Sequence, residues 1–208
     1  MSLSPKQLQA LFHKQRPSLQ ADSAYAIQRT QGQTPHVLII SCCDSRTDPA
    51  RLFNAPFGTL FTYRNIANIV QPYGQDAAIA AAIAFAVEHV GITDIIILGH
   101  SDCAGIKGVC QHDALQGDLA AFLAPAAAER SSTSTAALPD SITTPHDQQA
   151  LRTLICSHQH LQTYPVVKQA LAQKKLRTHA WFYDMQTIAL WQYDTVNDCF
   201  RNSTKDSY

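Results

Sequence analysis

Three short runs of β-branched and aliphatic residues predict the strands of a sheet. HVLIIS (His36–Ser41) and DIIIL (Asp94–Leu98) are continuous apolar runs, as in strands buried on both faces. GTLFTY (Gly58–Tyr63) is a third candidate strand. The alanine-rich segment Gln75–Val90 contains no Gly or Pro and predicts a helix between strands. This alternation predicts an α/β fold with a mostly parallel central sheet and helices on its faces.

The first 30 residues are predicted to form a helical arm. Leu8, Leu11 and Phe12 recur at helical spacing in an otherwise polar segment, and Pro17 is expected to interrupt the helix. A second short helix is predicted over residues 21–29. Such an arm can pack on its own domain or on a partner subunit, and the pattern leaves both arrangements open.

The C-terminal half predicts two further helices and a hairpin. Residues 118–130 favour a short helix, and residues 147–176 favour a longer one with a kink or break at Pro165. The Ser/Thr-rich segment 131–145 between them has the composition of an exposed loop. Two aromatic runs on either side of residues 185–188 are typical of a β-hairpin or of edge strands.

Composition and charge narrow the class of protein. The 208 residues are 46% hydrophobic and 15% charged, which suits one domain, residues 1–208, with a sizeable core. Sixteen basic and 16 acidic side chains give no net charge, and no basic cluster marks a surface for nucleic acid or anionic membrane. The longest apolar run, Ala77–Val87, is too short to span a bilayer. The N-terminus lacks the apolar segment of a signal peptide, so a cytoplasmic protein is expected.

Two short segments that follow predicted strands carry the candidate chemistry. CCDSR begins at Cys42, directly after the first strand, and HSDC (His100–Cys103) follows the strand DIIIL. Because ligands collect beyond the carboxyl ends of parallel strands, we expect these segments to converge. Thiolate and imidazole suit zinc, and three protein ligands leave the open fourth position that catalytic zinc needs. The sequence therefore predicts one Zn²⁺ per chain, held by Cys42, His100 and Cys103.

Asp44 and Arg46 are the predicted companions of this metal site. In an extended segment they fall on the same side as Cys42, because side chains alternate with a period of two. A carboxylate beside a metal can orient a water molecule, and an arginine forked onto it keeps it ionised and aimed. The alternative for the pair is a structural salt bridge, which does not exclude the catalytic role.

The other cysteines have a simpler interpretation. Cys43, Cys110, Cys156 and Cys199 show no ligand spacing, and free cysteine is among the residue types most often buried. We expect these four to be buried packing residues. Thiols rather than disulfides are expected, because the chain is larger than the small secreted domains that depend on disulfides.

Three blocks of sequence resemble the signature motifs of β-class carbonic anhydrases, in the order and spacing of that family. They are ISCCDSRTDP (Ile40–Pro49), YRNIANIV (Tyr63–Val70) and ILGHSDCAGIKG (Ile97–Gly108). The resemblance continues weakly through residues 161–167 and 179–184. It covers most of the chain, and the combination of motifs is highly specific.

The resemblance implies a fold, an activity and an assembly. Members of this family have a Rossmann-like sheet and hydrate carbon dioxide reversibly to bicarbonate and a proton by means of zinc-bound hydroxide. Their smallest active unit is a dimer, often doubled to a tetramer, and an N-terminal helical arm commonly packs on the neighbouring subunit. We therefore expect a homodimer or homotetramer that acts on carbon dioxide and bicarbonate and binds neither nucleic acid nor membrane.

The resemblance also implies roles for individual residues. The two strand-end cysteines and the histidine become zinc ligands, and Asp44 and Arg46 become the catalytic pair. The backbone at Ala104 and Gly105 is expected to help hold bicarbonate. Two glycines are usual there in the family, so the methyl group of Ala104 is a departure.

A regulatory site found in some members is expected to be missing. Those members close at low pH, when the aspartate ligates zinc and leaves its arginine, and they hold bicarbonate at a tryptophan, an arginine and a tyrosine. Here Arg64 matches the arginine, but Ile39 stands at the tryptophan position and Trp181 falls near the tyrosine position. We therefore expect Asp44 to pair with Arg46.

Two other functions are compatible with these residues. Relatives with the same zinc centre hydrolyse carbon disulfide or carbonyl sulfide, and the shape of the access tunnel separates those substrates from carbon dioxide. A catalytically silent binding module with a structural zinc is the other alternative. Asp44 and Arg46 argue against it, because a structural zinc site needs neither an open position nor an orienting carboxylate.

Overall fold

A six-stranded mixed sheet forms the centre of the molecule. The computed structural model describes residues 3–131 and 136–204. The strand order is β2-β1-β3-β4-β5-β6, with the first four strands parallel and β5 and β6 antiparallel to their neighbours. In chain order the strands are β1 (Val37–Cys42), β2 (Leu60–Asn65), β3 (Asp94–His100), β4 (Arg177–Asp184), β5 (Ala189–Asp194) and β6 (Cys199–Asn202). This is the α/β architecture, with a C-terminal hairpin, that the hydrophobic pattern predicts.

Eight α-helices connect and cover the strands. In chain order they are α1 (Pro5–Ala21), α2 (Ser23–Gln31), α3 (Pro49–Leu52), α4 (Ala77–Phe85), α5 (Ala104–Cys110), α6 (Gly117–Ala128), α7 (Pro145–Thr163) and α8 (Pro165–Ala172) within the described residues. A π-helical turn continues α4, and short 3₁₀ turns follow β1, β2, α5 and α6. No helix in the described ranges is long and apolar enough to cross a membrane.

The first three strands all end later than predicted, and these shifts matter for the site. Strand β1 ends at Cys42 rather than at Ser41, so Cys42 belongs to the strand. Strand β2 begins at Leu60 and ends at Asn65, two residues later than predicted. Strand β3 continues through Gly99 to His100, because its pairing with β4 extends to His100 opposite Tyr183. His100 is therefore the last residue of a strand rather than the first residue after it.

The main hydrophobic core lies between one face of the sheet and the helices. Helix α7 contributes most to it, with buried Leu151, Leu154 and Leu161 at helical spacing, and it packs against β3 and β4. Side chains from β1 and β3, such as Ile40 and Ile97, form the other half of this core. Ile39, Ile96 and Leu98 are buried on the opposite face, so β1 and β3 are buried on both faces, which explains why these strands are apolar without interruption.

The second face of the sheet is only partly covered. Three buried residues, Ile39, Ile96 and Leu98, form its centre, and half-buried Trp181 and Leu190 pack against them. An open groove of about 440 Å³ runs along this face. It is lined by residues of α3, β4 and β5, and by residues that follow α3, β4 and β6. The helices of the chain thus cover one face of the sheet, whereas the other face is partly exposed.

The N-terminal arm is helical as predicted, but its break lies elsewhere. Pro17 stands inside α1, and the helix continues to Ala21. The chain turns at Asp22, whose side chain accepts a hydrogen bond from the Tyr25 N–H while its own N–H bonds back to Ser18. Asp22 therefore ends one helix and caps the next, which gives the break a set of hydrogen bonds that Pro17 does not offer. Helix α1 buries no residue.

Most of the elements predicted for the C-terminal half are present in the structure. The break at Pro165 is confirmed, since α7 ends at Thr163 and α8 begins at Pro165. Helix α8 stops at Ala172 rather than near residue 176. Lys174 then takes a left-handed backbone conformation with φ of 57°, and the chain turns into β4. Within the segment predicted as a loop, residues 132–135 lie outside the described residues. Strand β6 was not predicted.

Candidate metal centre

Three donors converge where strands β1 and β3 end side by side. Cys42 is the last residue of β1 and His100 the last residue of β3, while Cys103 is the capping residue directly before helix α5. One donor atom from each of the three residues lies within 4.8 Å of the others, and all three residues are buried. The Sγ atoms of Cys42 and Cys103 are 3.8 Å apart. The three side chains for which the sequence predicts a common metal site therefore lie together in the structure.

The hydrogen bonds of His100 fit a metal ligand. Its Nδ1 lies 2.8 Å from the carbonyl oxygen of Ser101, to which a protonated Nδ1 donates. Its Nε2 is buried and has no hydrogen-bond partner among the described residues. A carbonyl that holds one ring nitrogen and leaves the other as a bare acceptor is the usual arrangement behind a metal-bound histidine. Two thiol sulfurs and this Nε2 are a donor set that suits zinc.

The two thiols form a hydrogen-bonded pair that favours a thiolate. The pKa of Cys42 is lowered well below its ordinary value, first by the hydrogen bond from the Cys103 thiol and then by His100, although burial opposes this. The pKa of Cys103 is raised, because it holds the shared proton beside the Cys42 sulfur and is itself buried. A buried site that stabilises thiolate in this way is prepared for a cation.

Asp44 and Arg46 form a two-pronged ion pair beside the centre. Nε and Nη2 of Arg46 donate to Oδ1 and Oδ2 of Asp44 at 2.9 and 2.7 Å. The segment is not extended, as the alternation argument assumed. It is a 3₁₀ turn, Ser45–Thr47, in which the Arg46 N–H also donates to Asp44 Oδ1. The two side chains meet because the turn folds Arg46 back over Asp44.

The Asp44 carboxylate is held as an anion and faces Arg46. The Arg46 side chain lowers the pKa of Asp44 to about 2. Asp44 therefore stays ionised at neutral pH and can only accept hydrogen bonds. It is not one of the three residues of the metal group. This is the pairing that the missing regulatory tryptophan predicts.

Arg64 has a role that sequence reasoning missed. Its Nε donates to the carbonyl of Cys42 at 2.9 Å, its Nη2 to the carbonyl of Asp44 at 2.7 Å, and its Nη1 to Asp48 Oδ2 at 2.9 Å. The guanidinium therefore clamps the backbone that carries both a predicted ligand and the predicted catalytic carboxylate. The signals in the sequence were its place in the block YRNIANIV and its match to the arginine of the regulatory site found in some family members. In the structure it lies in strand β2, next to β1.

Asp102 links the ion pair to the second ligand segment. It has a left-handed backbone with φ of 56°, and its Oδ2 accepts from Arg46 Nη1 at 2.9 Å. Lys107 binds its other carboxylate oxygen. Lys107 first, and then Arg46, lower the pKa of Asp102 to about 2. The aspartate within HSDC was the signal in the sequence, but its link to Arg46 was not foreseen.

Ala104 and Gly105 lie at the start of helix α5, directly after Cys103. Ala104 is exposed and helical, so its methyl group causes no backbone strain. A Cβ atom at Gly105 would lie 2.7 Å from Ile66 Cγ2 and 2.9 Å from Ala67 Cβ. The glycine is therefore needed for the close approach of α5 to the turn after β2.

The interpretation of the other four cysteines as buried residues was wrong. Cys43 and Cys110 are exposed, and Cys156 and Cys199 are half-buried. Cys43 follows β1, Cys110 and Cys199 stand at the ends of their elements, and Cys156 lies within α7, so the type preference of cysteine for cores does not decide burial at these positions. None of the four belongs to the metal group within the described residues.

Comparisons with known proteins agree with this geometry. The family model described as carbonic anhydrase matches residues 37–190, which include all three donors of the metal group. The chain belongs to the carbonic anhydrase family. Carbonic anhydrase of Pseudomonas aeruginosa is 35% identical over 158 residues, covering 74% of this chain and 71% of that protein. Carbonic anhydrase of Synechococcus elongatus is 30% identical over 169 residues, covering 77% of this chain but only 60% of that protein.

Solved structures place the chain in the β class of carbonic anhydrases. The β-carbonic anhydrase CcaA superimposes with a TM-score of 0.84 at 26% identity, covering 95% of this chain and 98% of that one. One of two tetrameric β-carbonic anhydrases from Sordaria macrospora superimposes with a TM-score of 0.70 at 27% identity, covering 88% of this chain and 96% of that one. The class that the three sequence blocks resemble is therefore confirmed, and so is the fold.

Proposed function

We propose that this carbonic anhydrase homologue is a zinc enzyme that hydrates carbon dioxide reversibly to bicarbonate and a proton. The observation that carries the proposal is the convergence of Cys42, His100 and Cys103, with an unpartnered His100 Nε2, beside the ionised Asp44–Arg46 pair. Within the part of the chain that the structure describes, the metal group has three donors, and three protein ligands are typical of a catalytic rather than a structural zinc site.

The residues of the centre have two different roles, metal binding and orientation of water. Cys42, His100 and Cys103 would hold the ion, and two thiolates balance the charge of a divalent cation. Zinc in such a donor set supplies Lewis acidity, which makes water a nucleophile at a pH of about 7. Asp44 accepts a hydrogen bond from the reacting water and so aims it, and Arg46 keeps that carboxylate ionised and fixed.

Substrate contacts are assigned to the start of helix α5. We propose that the backbone at Ala104 and Gly105 helps to hold bicarbonate, as the family resemblance implies. The exposed position of Ala104 leaves its side of the turn accessible. The packing of Gly105 against Ile66 and Ala67 keeps that backbone in place.

The proposal is tested by stopped-flow hydration of carbon dioxide across pH 6 to 9, with zinc quantified in the same sample. About one zinc per chain and activity rising through a pKa near or somewhat above neutrality support it. Zinc-loaded protein without hydration activity contradicts it. Carbon disulfide then becomes the next substrate to test, since its hydrolysis would favour the sulfur-substrate alternative.

Two adjacent cysteines provide a matched pair of variants. Cys42→Ser is expected to lose stoichiometric zinc and to reduce hydration by more than about 100-fold, since loss of even an outer partner of a ligand costs about 10- to 100-fold. Cys43→Ser changes an exposed thiol one residue away and is expected to keep both zinc and activity within twofold. Equal behaviour of the two variants would contradict the assignment of Cys42.

Asp44→Ala separates an enzyme from a silent module. If Asp44 serves catalysis, the variant keeps its melting temperature within a few degrees and its zinc content, but loses turnover. If the centre is purely structural, the loss of the ion pair lowers the melting temperature and there is no turnover to lose. Both quantities are measured on the same preparation.

We further propose that residues 1–208 form one domain that works as a homodimer or a homotetramer. Helix α1 presents Leu8, Leu11 and Phe12, each about half exposed, and has no buried residue. The second face of the sheet is apolar and open. An arm from one copy that covers the open face of another buries both surfaces, and one structural neighbour is tetrameric.

The assembly is tested by sedimentation. Replacement of Leu8, Leu11 and Phe12 by serine is expected to shift the oligomer towards monomer. Val196→Ser removes an exposed apolar side chain outside the arm and is expected to leave the assembly unchanged. A wild-type chain that sediments as a monomer at micromolar concentration would contradict the proposal.

A further inference from the structure

The turn between His100 and Cys103 is held from a distant part of the chain. Ser101 ties the turn to the end of β4, since its N–H donates to the Tyr183 carbonyl at 3.0 Å. The next residue, Asp102, is fixed separately. Its backbone N–H donates to Oδ1 of Asp147 at 2.7 Å. A carboxylate in helix α7 thus binds the peptide that lies between two proposed zinc ligands.

Asp147 is held firmly in place for this contact. It is the third residue of α7, and its backbone N–H donates to the capping hydroxyl of Thr144 at 3.2 Å. The Thr144 hydroxyl lies 2.6 Å from Asp147 Oδ2 and donates to it. An acidic residue at this helix position ordinarily reaches back to the backbone of the capping residue. Here its other oxygen turns outward to Asp102 instead, and the side chain is only 13% exposed.

The conformation of Asp102 makes such an anchor necessary. A left-handed backbone is unfavourable for a residue other than glycine and persists only where its surroundings enforce it. Arg46 and Lys107 hold the carboxylate of Asp102, and Arg46 Nη2 lies 3.2 Å from its carbonyl oxygen. Asp147 is the partner that holds its N–H. Without Asp147 that N–H loses its acceptor and the peptide is free to rotate.

We propose that Asp147 is a positioning residue for the metal centre. It holds the Asp102 peptide so that His100 and Cys103 keep their ligating geometry, and so that Asp102 keeps Arg46 aligned. Helix α7 makes this anchor rigid, because its apolar face is buried against β3 and β4. The inference rests on the proposed zinc centre and adds to it a residue from a segment that the sequence motifs do not include.

The test compares three variants of the full chain. Asp147→Ala removes the acceptor, whereas Asp147→Asn keeps a carbonyl oxygen that can accept from the Asp102 N–H. Asp76→Ala is the matched control, because Asp76 also accepts backbone N–H groups at the start of a helix, but in α4. Zinc affinity is measured by competition with a chromophoric chelator. Ligand geometry is read from the visible absorption of the Co²⁺-substituted protein.

The three variants are expected to differ in zinc affinity and in the Co²⁺ spectrum. Asp147→Ala weakens zinc binding about 10-fold, the lower end of the range for residues behind a metal ligand, and changes the Co²⁺ bands. Asp147→Asn restores affinity to within about threefold of wild type. Asp76→Ala lowers the melting temperature to a similar extent as Asp147→Ala, yet leaves affinity and spectrum unchanged.

Two results overturn the inference and are distinguishable. If Asp147→Ala binds zinc as wild type does and gives the same Co²⁺ spectrum, Asp147 supports only its helix, while the metal centre stands. If the wild-type chain binds neither metal stoichiometrically, the proposed centre itself is wrong and the inference fails with it.

Discussion

Two aspartates at opposite ends of strand β3 are bound in similar ways and serve different purposes. Asp94 opens the strand and accepts both prongs of Arg177 at 2.8 Å and a contact from His179 Nε2 at 2.9 Å. Asp102 lies just beyond the other end of the strand and binds Arg46 and Lys107. Each carboxylate therefore has two basic partners.

Their surroundings differ. Asp94 is 13% exposed, and its partners both belong to β4, so its contacts fix the register of neighbouring strands. Asp102 is 50% exposed and joins segments that carry the metal centre and the Asp44–Arg46 pair. The same ion-pair chemistry thus joins neighbouring strands at one end of β3 and, at the other end, links the segments of the candidate metal centre. Changes at the two edges should separate stability from turnover.

The largest separation is expected for the two arginines. Arg46→Ala removes the partner of both Asp44 and Asp102 and is expected to reduce kcat for carbon dioxide hydration about 100-fold, because the orienting carboxylate loses its alignment. Arg177→Ala removes the matching arginine at the other edge and is expected to leave kcat within twofold. Stopped-flow assays of both variants check this. Equal losses of kcat in the two variants would contradict the different roles of Arg46 and Arg177.

A smaller effect is expected at Asp102 itself. Asp102→Ala and Asp102→Gly both remove the carboxylate, and each is expected to lower kcat about 10-fold through the freed Arg46. Alanine also has to adopt the left-handed backbone, so its unfolding free energy should fall about 1 kcal/mol below that of the glycine variant. Denaturant unfolding and kinetics together check this. If glycine restores turnover, the carboxylate has no role.

At the amino end of β3, a substitution is expected to change stability rather than turnover. Asp94→Ala is expected to lower the unfolding free energy by about 1 kcal/mol, because the charged hydrogen bonds from Arg177 and His179 are lost and solvent already weakens them. Turnover should be unchanged, because Asp94 lies at the amino end of β3 and the metal donors lie at its carboxyl end. A fall in kcat without a fall in stability would contradict the comparison.

The smallest effect is a pH dependence of the Asp94 contribution. The Arg177 fork holds the folded-state pKa of Asp94 below its ordinary value, and His179 and Thr93 add to this. The stabilisation is therefore complete above the unfolded-state pKa of about 3.9 and is lost as pH falls through the folded-state value. The difference in melting temperature between wild type and Asp94→Asn should narrow from pH 7 to pH 3. A constant difference would exclude ionisation of Asp94 as its source.

The donor cluster was predictable from sequence because it depends on one long-range rule. Once β1 and β3 are recognised as parallel neighbours, Cys42 and His100 must meet at one edge, wherever the intervening chain goes. Around Arg46, the sequence predicted the pairing with Asp44 but neither the local backbone conformation nor the contact with Asp102. The alternation argument assumed a strand, whereas Asp44 caps a 3₁₀ turn.

The supporting residues were not predictable in this way. Arg64 and Asp147 act across the fold, and nothing near them in the sequence marks the backbone groups that they bind. The path of α1 through Pro17 also escaped prediction, because the hydrogen bonds of Asp22 on both sides of the break decide where the helix ends. Local patterns specify elements and strand ends, while contacts between distant segments depend on how the elements pack.

The parallel pairing of β1 with β3 also has a consequence for the order of folding. The β4–β5 hairpin joins strands through a four-residue turn and can close quickly, whereas β1 and β3 are separated by the whole of β2 and α4. Cys42 and Cys103 therefore face each other only after the chain has closed over this long separation. We expect a metal ion to capture the finished sheet and slow its unfolding, rather than to nucleate the fold.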